Sequence, residues 1–317
     1  MMPTKRTGVS LEEFARLFQE LGAAGVARHL GISPRVVYSR RRKAEETLGV
    51  QLRSEKSKTA AYEPRVHIPI TKGFVLVGGD VHLWPGERTT AQRAFIAFCK
   101  AYKPKAIVMN GDVIDASAIS RHPPMQWEEA PDVQEEIEVA QDFLHDIVSA
   151  AGKRVVKVWN LGNHDARFET YLATHAPRYR GIQGIHLKDH FPLWEPAWSC
   201  EIGGPTGVIV KHRFKGGIHA THTNALWSGR SMITGHLHSL KVTPFTDYNG
   251  TRYGVDSGTL ALPRGPQFSY CEDNPLNWRG GFVLLSWVGG EMLMPELIMV
   301  HDEKAGLVQF RGGLLKV

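Results

Sequence analysis

Ala106-Ile-Val-Met-Asn-Gly-Asp-Val-Ile-Asp115 is the stretch on which the fold turns. Four consecutive apolar residues, too few for a helix and halted near Gly111, describe a strand buried on both faces, with two aspartates just past its C-terminal end. The same grammar repeats outward. Upstream, Phe74-Val-Leu-Val77 leads to Gly-Gly-Asp80-Val-His82. Downstream, Val155-Val-Lys-Val-Trp159 leads to Gly162-Asn-His-Asp165, Val208-Ile-Val210 to His212, and Met232-Ile-Thr234 to Gly235-His-Leu-His238. Helical patterns over residues 89–102 and 132–150 separate the early strands. The expectation is an α/β domain that gathers polar groups at the C-terminal ends of its strands, where open α/β sheets collect their sites.

The chain has 317 residues, 42% of them hydrophobic, enough for one large domain and a small module. Its longest apolar stretches, such as Phe282 to Leu285, fall far short of a membrane span, and the polar start Met1-Met-Pro-Thr-Lys-Arg-Thr7 does not resemble a secretory signal. Cys99, Cys200 and Cys271 are odd in number and widely spaced, which suggests neither a disulfide framework nor a thiolate zinc site. A reducing cytoplasm is the expected compartment.

Charge divides the chain unevenly. Residues 1–60 carry 12 Lys and Arg against 6 Glu and no Asp, a net of +6 that equals the formal charge of the whole chain. Attraction to a polyanion is therefore expected of the N-terminal segment. We read residues 1–50 as one module, 51–72 as a linker without apolar periodicity, and 73–317 as the larger domain.

Within the first module, Ser10-Leu-Glu-Glu13 is a capping box, and Leu11, Phe14, Ala15, Phe18 and Leu21 share one helical face. A second short helix from Ala23 to Leu30, a turn at Gly31 and a third helix opened by Ser33-Pro34 complete the pattern. The stretch from Val26 to Tyr38 resembles helix-turn-helix DNA-binding domains. That resemblance places Arg35, Tyr38, Ser39 and Arg42 on a groove-facing surface and Arg40 and Lys43 on phosphates. Arg41 stands where an inward apolar residue is expected, which leaves Val37, Ala44 and Leu48 to cover the core. A solvated basic helix or a protein-docking hairpin is the alternative.

The order Asp-x-His, Gly-Asp-x-x-Asp, Gly-Asn-His-Asp, strand-end His, Gly-His-x-His resembles the calcineurin-like metallophosphoesterase superfamily, of the type often carried by phages and prophages, over residues 73–317. Any one motif is a weak signal, and five in order are a strong one. The resemblance implies a two-sheet α/β/β/α sandwich and two divalent metal ions, Mn²⁺ first, with iron or zinc as alternatives. By the same resemblance Asp80, His82, Asp112 and His238 hold one ion and Asp112, Asn163, His212 and His236 the other, Asp112 bridging. His212 is preferred because it directly follows an apolar strand, while His219 and His222 stay open as alternatives.

The chemistry so implied is in-line displacement at phosphorus. His164 would protonate or stabilise the leaving oxygen, with Asp165 orienting its imidazole. Asp115 is either a partner of His82 or a turn residue. Protein phosphatases carry an Arg immediately after this position and this chain has Ala116, which argues against protein phosphatase activity. Arg121 with His122, or Arg167, could take over the phosphate grip, or all three could be surface residues. The aromatic residues Tyr171, Tyr179, Trp194 and Trp198 mark an excursion beside the site, and the run after His238, including Asp256-Ser-Gly-Thr259 and Trp278, reads as completing the second sheet without chemistry. The expected activity is a DNA-directed phosphodiesterase or nuclease. The alternatives are a phosphomonoesterase on a nucleotide or DNA end, and a DNA-binding regulator that does not catalyse.

Overall fold

Two units divide the chain, described by a computed structural model over residues 9–50, 52, 62–122 and 129–317. One contains α1 (Leu11–Leu30) and α2 (Pro34–Leu48) together with residues 178–183, and the other holds residues 62–177 and 184–317. Ser10 Oγ accepts the Glu13 N–H at 3.1 Å and so caps α1. Gly22, at φ 68° and ψ 173°, breaks α1 where the sequence separates a first helix from a second. Phe14, Phe18, Val26, Val37, Ala44 and Leu52 close the small core.

Two arginines of α2 belong to that core and not to a ligand-facing surface. The guanidinium of Arg40 lies 5.3 Å from the centre of the Phe14 ring and donates to the Val9 carbonyl. Its expected phosphate role is therefore corrected: a cation bonded to its own backbone and stacked on its own core is spent internally. Arg41, the residue out of pattern, covers Phe18 at 5.2 Å and pairs with Glu45 at 3.0 Å. Its aliphatic stem does the covering that an apolar side chain would otherwise do. Arg35, Tyr38, Ser39, Arg42 and Lys43 are exposed.

The larger unit opens with β1 (Val66–Ile68), β2 (Gly73–Gly78), α3 (Thr90–Tyr102), β3 (Ala106–Asn110), α4 (Val133–Ala151), β4 (Val156–Asn160) and α5 (Asp165–His175). It continues through α6 (Leu187–His190), β5 (Glu195–Ala197), β6 (Cys200–Ile202), β7 (Val208–Val210), α7 (Ala220–Ser228), β8 (Ser231–Thr234), β9 (Lys241–Asp247) and β10 (Gly250–Asp256). The remainder is β11 (Gly281–Val288), β12 (Glu291–Met292), β13 (Glu296–Asp302), β14 (Leu307–Phe310) and β15 (Gly313–Lys316). Among the described residues these strands form two sheets. One runs β15-β14-β13-β11-β2-β3-β4-β5, with β12 on β11, and the other β1-β6-β7-β8-β10-β9.

Alternation along the strands assigns each side chain to a layer. Leu76 on β2, Ile107 and Met109 on β3, and Phe282 and Leu284 on β11 face α3 and α4, joining Phe95, Phe98 and Phe143. Their neighbours Val75, Val77, Val108, Val283 and Leu285 face the second sheet, meeting Ile202, Val208, Val210, Ile233 and Val255. Burial on both faces is why these segments read as unbroken apolar runs. Full capping boxes, Thr89 with Gln92 and Asp132 with Glu135, start α3 and α4.

Two expectations need correction. β1 lies in the stretch read as linker, where it pairs parallel to β6 and buries Ile68, while residues 51 and 53–61 of that stretch lie outside the described residues. Only β9 and β10 of the C-terminal run enter the second sheet. β11 instead returns antiparallel to β2 and extends the first sheet through β13, β14 and β15. Trp194 is buried in the helix-side core, whereas Tyr171 and Trp198 are exposed, and Tyr179 falls in the smaller unit.

Leu284 is fully buried between β2 and β13, so Leu284→Ala should destabilise the protein by about 2–5 kcal/mol through lost transfer energy and a residual cavity. Val288, 60% exposed on the same strand, should tolerate alanine within about 0.5 kcal/mol. Urea unfolding midpoints of the two variants check this.

Candidate metal centre

The parallel strands β2, β3 and β4 of one sheet and β7 and β8 of the other each end at one of the polar motifs. The β2 and β3 loops do not separate on leaving the sheet. Asp80 N–H donates to the Gly111 carbonyl at 2.8 Å, Val81 and His82 to Asp112 at 2.8 and 2.9 Å, and Leu83 to Val113 at 2.9 Å, so the ladder continues through the motifs. Three glycines permit the approach. A Cβ at Gly162 would stand 2.0 Å from Asp112 Oδ1, one at Gly235 2.3 Å from Asp80 Oδ2, and one at Gly111 2.3 Å from the His212 ring.

The backbone is strained where the motifs turn. Asp80, His82, Asp112, His236 and His238 hold φ of 49°, 41°, 48°, 71° and 54°, a left-handed region that non-glycine residues occupy at a cost and mostly at functional sites. Their side chains converge. Ligand atoms of Asp80, His82 and His238, of Asp112, His212 and His236, and of His82, Asp112 and His164 form three clusters, each within 4.8 Å. Asp112 belongs to two of them, and His82 links the first to the third. Asp80, Asp112, His82, His212 and His238 are buried, whereas His236 opens to solvent.

Two of the histidines, His212 and His82, are aimed by a partner on the far nitrogen, which fixes the tautomer. His212 Nδ1 donates to the Asn110 carbonyl at 2.8 Å and turns Nε2 toward Asp112 Oδ2 at 3.1 Å. His82 Nδ1 meets Asp115 Oδ1 at 2.7 Å. His238 Nε2 sits 3.1 Å from Asp80 Oδ1, and the His236 N–H donates to both Asp80 oxygens at 2.9 and 3.0 Å.

The electrostatics fit cations. Burial would raise Asp112, yet His212, His164 and His82 hold it well below the ordinary carboxylate range. Burial alone would lower His212, and Asp112 and Asp80 outweigh it, pushing the imidazole up to about 10. Buried polar atoms of the site also stand unsatisfied: His82 Nε2, His238 Nδ1 and Asn163 Oδ1 lack hydrogen-bond partners. Unpaired buried lone pairs facing two carboxylates are what a divalent cation would complete.

His164 and Asp165 separate. His164 Nδ1 lies 2.9 Å from the Asp115 carbonyl and 3.1 Å from its Oδ1, and Nε2 receives Arg167 Nη2 at 3.2 Å. Asp115 is thus the orienting carboxylate of both His82 and His164. Asp165, read as the group that orients His164, does not do so. It is buried and accepts four N–H groups, from Val113 at 2.9 Å, Ile114 at 3.3 Å, Gly162 at 2.8 Å and Trp159 Nε1 at 2.9 Å, pinning the β4 loop to the β3 loop. Burial and then Asp112 push its acid up to about 6.

The remaining candidates divide by position. Arg167 is brought in, its Nη1 bonded to the Asp115 carbonyl at 3.0 Å. Arg121 and His122 are exposed and make no contact with the cluster among the described residues. His219 stands exposed at the N-cap position of α7 without a side-chain capping bond, and His222 packs on Phe245 at 5.3 Å; of the three, His212 is the one that joins the clusters.

Sequence reasoning missed the shell contributed by the C-terminal run. Asp256 accepts N–H groups from Ser239 at 2.9 Å, Leu240 at 3.2 Å and Gly258 at 3.0 Å, tethering the loop after His238. Thr259 Oγ1 donates to the Asp80 carbonyl at 2.6 Å, and Gln267 Nε2 to the His82 carbonyl at 3.0 Å. Trp278 lies 4.4 Å from the His238 ring and Phe268 4.9 Å from that of His82. An Asp-Ser-Gly sequence after a strand was the available signal, and it reads equally well as a plain turn.

Comparison with known proteins adds a family. The profile of the calcineurin-like phosphoesterases matches residues 75–253, more than half of the chain. No curated protein matches. Solved structures of similar fold include Vps29 from Entamoeba histolytica as a single mutant, at 16% identity and a TM-score of 0.41 over 77% of this chain and 99% of that one. Wild-type Vps29 of the same organism complexed with zinc gives 16% and 0.41 over 76% and 98%. Vps29 from Chaetomium thermophilum gives 10% and 0.41 over 77% and 97%. At these values the likeness carries no argument about activity.

Because Asp115 orients two histidines, Asp115→Ala should weaken divalent-ion binding by about 10- to 100-fold, the usual loss when the outer partner of a metal-binding histidine is removed. Calorimetric titration of Mn²⁺ and Zn²⁺ into chelator-treated protein measures it. Full affinity in the variant would show that the imidazoles hold their orientation without it.

Proposed function

The chain belongs to the calcineurin-like phosphoesterase family, and on that footing we propose that it is a dinuclear-metal phosphodiesterase acting on DNA, brought to its substrate by the helical N-terminal module. The observation that carries the enzymatic half is the pair of clusters Asp80–His82–His238 and Asp112–His212–His236, linked through a third, His82–Asp112–His164, whose His164 directly follows Asn163 with its unpaired Oδ1. When bound, two divalent cations would neutralise charge on the phosphoryl oxygens and activate water for in-line attack. Mn²⁺ is the ion we favour, since mixed imidazole, carboxylate and amide donors suit it.

The chain's own residues would supply position and proton handling. The N–H of His164 holds Asp112 Oδ1 at 2.8 Å, which ties the shared carboxylate to the same turn that carries the candidate acid. With Nδ1 committed to Asp115, His164 exchanges protons only through Nε2, the atom facing Arg167 and lying 4.0 Å from Asp112 Oδ2. A substrate phosphate reaching this rim would meet the Arg167 guanidinium already anchored on the Asp115 carbonyl. Arg167 thus takes the role of phosphate grip that the residue after Asp115 cannot, because Ala116 is buried and apolar.

Support for the DNA half is the +6 charge of residues 1–60 and the exposed set Arg35, Tyr38, Ser39, Arg42 and Lys43 on α2. Hydrolysis of bis-p-nitrophenyl phosphate against p-nitrophenyl phosphate, after chelation and Mn²⁺ restoration, tests the enzyme. Preferential diester cleavage is expected, with Asp112→Asn inactive and His164→Ala slowed about 10²- to 10⁴-fold on poor leaving groups while retaining metal. Monoester preference would make it a phosphatase, and inactivity with metal bound would make it a regulator.

The module is tested separately. Replacing Lys43, the remaining phosphate candidate, by glutamine should weaken duplex binding and shallow the dependence of log K on log salt by about 0.9. An unchanged slope would direct the module to a protein partner.

A further inference from the structure

Residues 61–317 carry 26 Lys and Arg against 26 Asp and Glu, yet along the sequence these charges are segregated. From Ile202 to Thr246 there is no acidic residue, although the stretch contains Lys211, Arg213, Lys215, Arg230 and Lys241 and three of the site histidines. Arg230 is paired with Glu201 at 3.0 Å, and Lys241 Nζ donates to the Ile218 carbonyl at 3.4 Å. Lys211, Arg213 and Lys215 remain, flanking the site residue His212 on a five-residue run.

Large apolar side chains stand exposed among these cations. Phe214 is 41% exposed, Ile218 80% and Trp227, on α7, 68%. Lys215 Nζ lies 4.8 Å from the Trp227 ring centre and 5.5 Å from that of Phe214, so one cation joins the two rings into a single patch. Lys211 Nζ approaches Phe214 from the strand side at 6.0 Å. Phe214 is two residues beyond His212, which limits their Cα separation to about 7 Å.

We propose that this aromatic and basic loop binds a single-stranded polynucleotide and delivers it to the metal centre, an inference that rests on the phosphodiesterase reading and specifies its substrate. Exposed rings interleaved with lysine and arginine match what an unpaired strand offers: base faces free to stack, and phosphates at close intervals. A protein-docking patch would be depleted of lysine, whereas here cations sit over both rings. Duplex DNA is a poorer match, because its base faces are already stacked on one another. The loop leads into the site along the chain, since Phe214 stands two residues beyond His212, which clusters with the solvent-open His236 and the buried Asp112.

Fluorescence anisotropy with labelled oligo(dT), oligo(U) and a DNA duplex, on the full chain in chelator so that nothing is cleaved, tests this. The double variant Phe214→Ala, Trp227→Ala should bind at least one of the single strands at least tenfold more weakly than wild type, and the sugar of that strand identifies DNA or RNA as the source. Both side chains are exposed, so an unchanged melting temperature serves as the folding control. A second variant, Lys211→Gln with Lys215→Gln, keeps the rings and should shallow the salt slope for single strands by about 1.4. Equal single-strand binding by wild type and the ring variant overturns the proposal, and duplex binding, assigned to the N-terminal module, should be the same in both. Wild-type cleavage of bis-p-nitrophenyl phosphate, which has no strand to hold, reports on the phosphodiesterase reading alone and separates the two failures.

Discussion

Two carboxylates, Asp80 and Asp112, are buried to within 1% of full exclusion from solvent where the two sheets meet, and the surrounding structure is arranged to tolerate that. Burying an anion without compensation is among the most costly things a fold can do. Compensation comes from backbone N–H groups of His236 and His164 on the carboxylate oxygens and from imidazoles crowded against them. The upward push on His212 shows how strongly the two carboxylates favour positive charge beside them, a field that suits a divalent cation as well as an imidazolium.

Much of the architecture was legible because burial on both faces writes itself into sequence. Ala106-Ile-Val-Met and Phe74-Val-Leu-Val could hardly be anything but interior strands, and each ends in a polar motif that has no reason to sit against a core unless it does something. What sequence hid was direction. Asp165 and Asp115 both follow a motif glycine by three or four residues, and nothing in their spacing reveals that Asp115 faces two histidines while Asp165 points backward into four N–H groups. Arg40 and Arg41 were equally opaque: adjacent cations on a basic helix, both folded onto phenylalanines of their own module. β1 escaped notice because three residues between prolines carry too little pattern to register.

A rigid hub and an open rim share the work of the site. The hub consists of Asp165, Asp256 and Thr259, which bind backbone and touch no open ligand position. The rim consists of His236, His164 and Arg167, exposed or half-buried, with Phe268 and Trp278 packed against the inner histidines. Of the five site residues with left-handed backbone, Asp80 is held directly from the hub, through its carbonyl and Thr259 Oγ1, and the loops carrying the others are tied at neighbouring residues.

The ladder that runs past the ends of β2 and β3 gives the centre a fixed gauge. Asp80 and Asp112 leave neighbouring strands while still paired, so the distance between their backbones is the strand-to-strand repeat of a sheet, about 4.8 Å. A length set in that way does not depend on which residues fill the loops. Exchanging one ligand side chain for another would alter the affinity for an ion, but altering the room between the two carboxylates would require rebuilding the sheet itself. The backbone spacing behind the two carboxylates is therefore written in the main chain, and the side chains are left to decide the charge and softness of what they present.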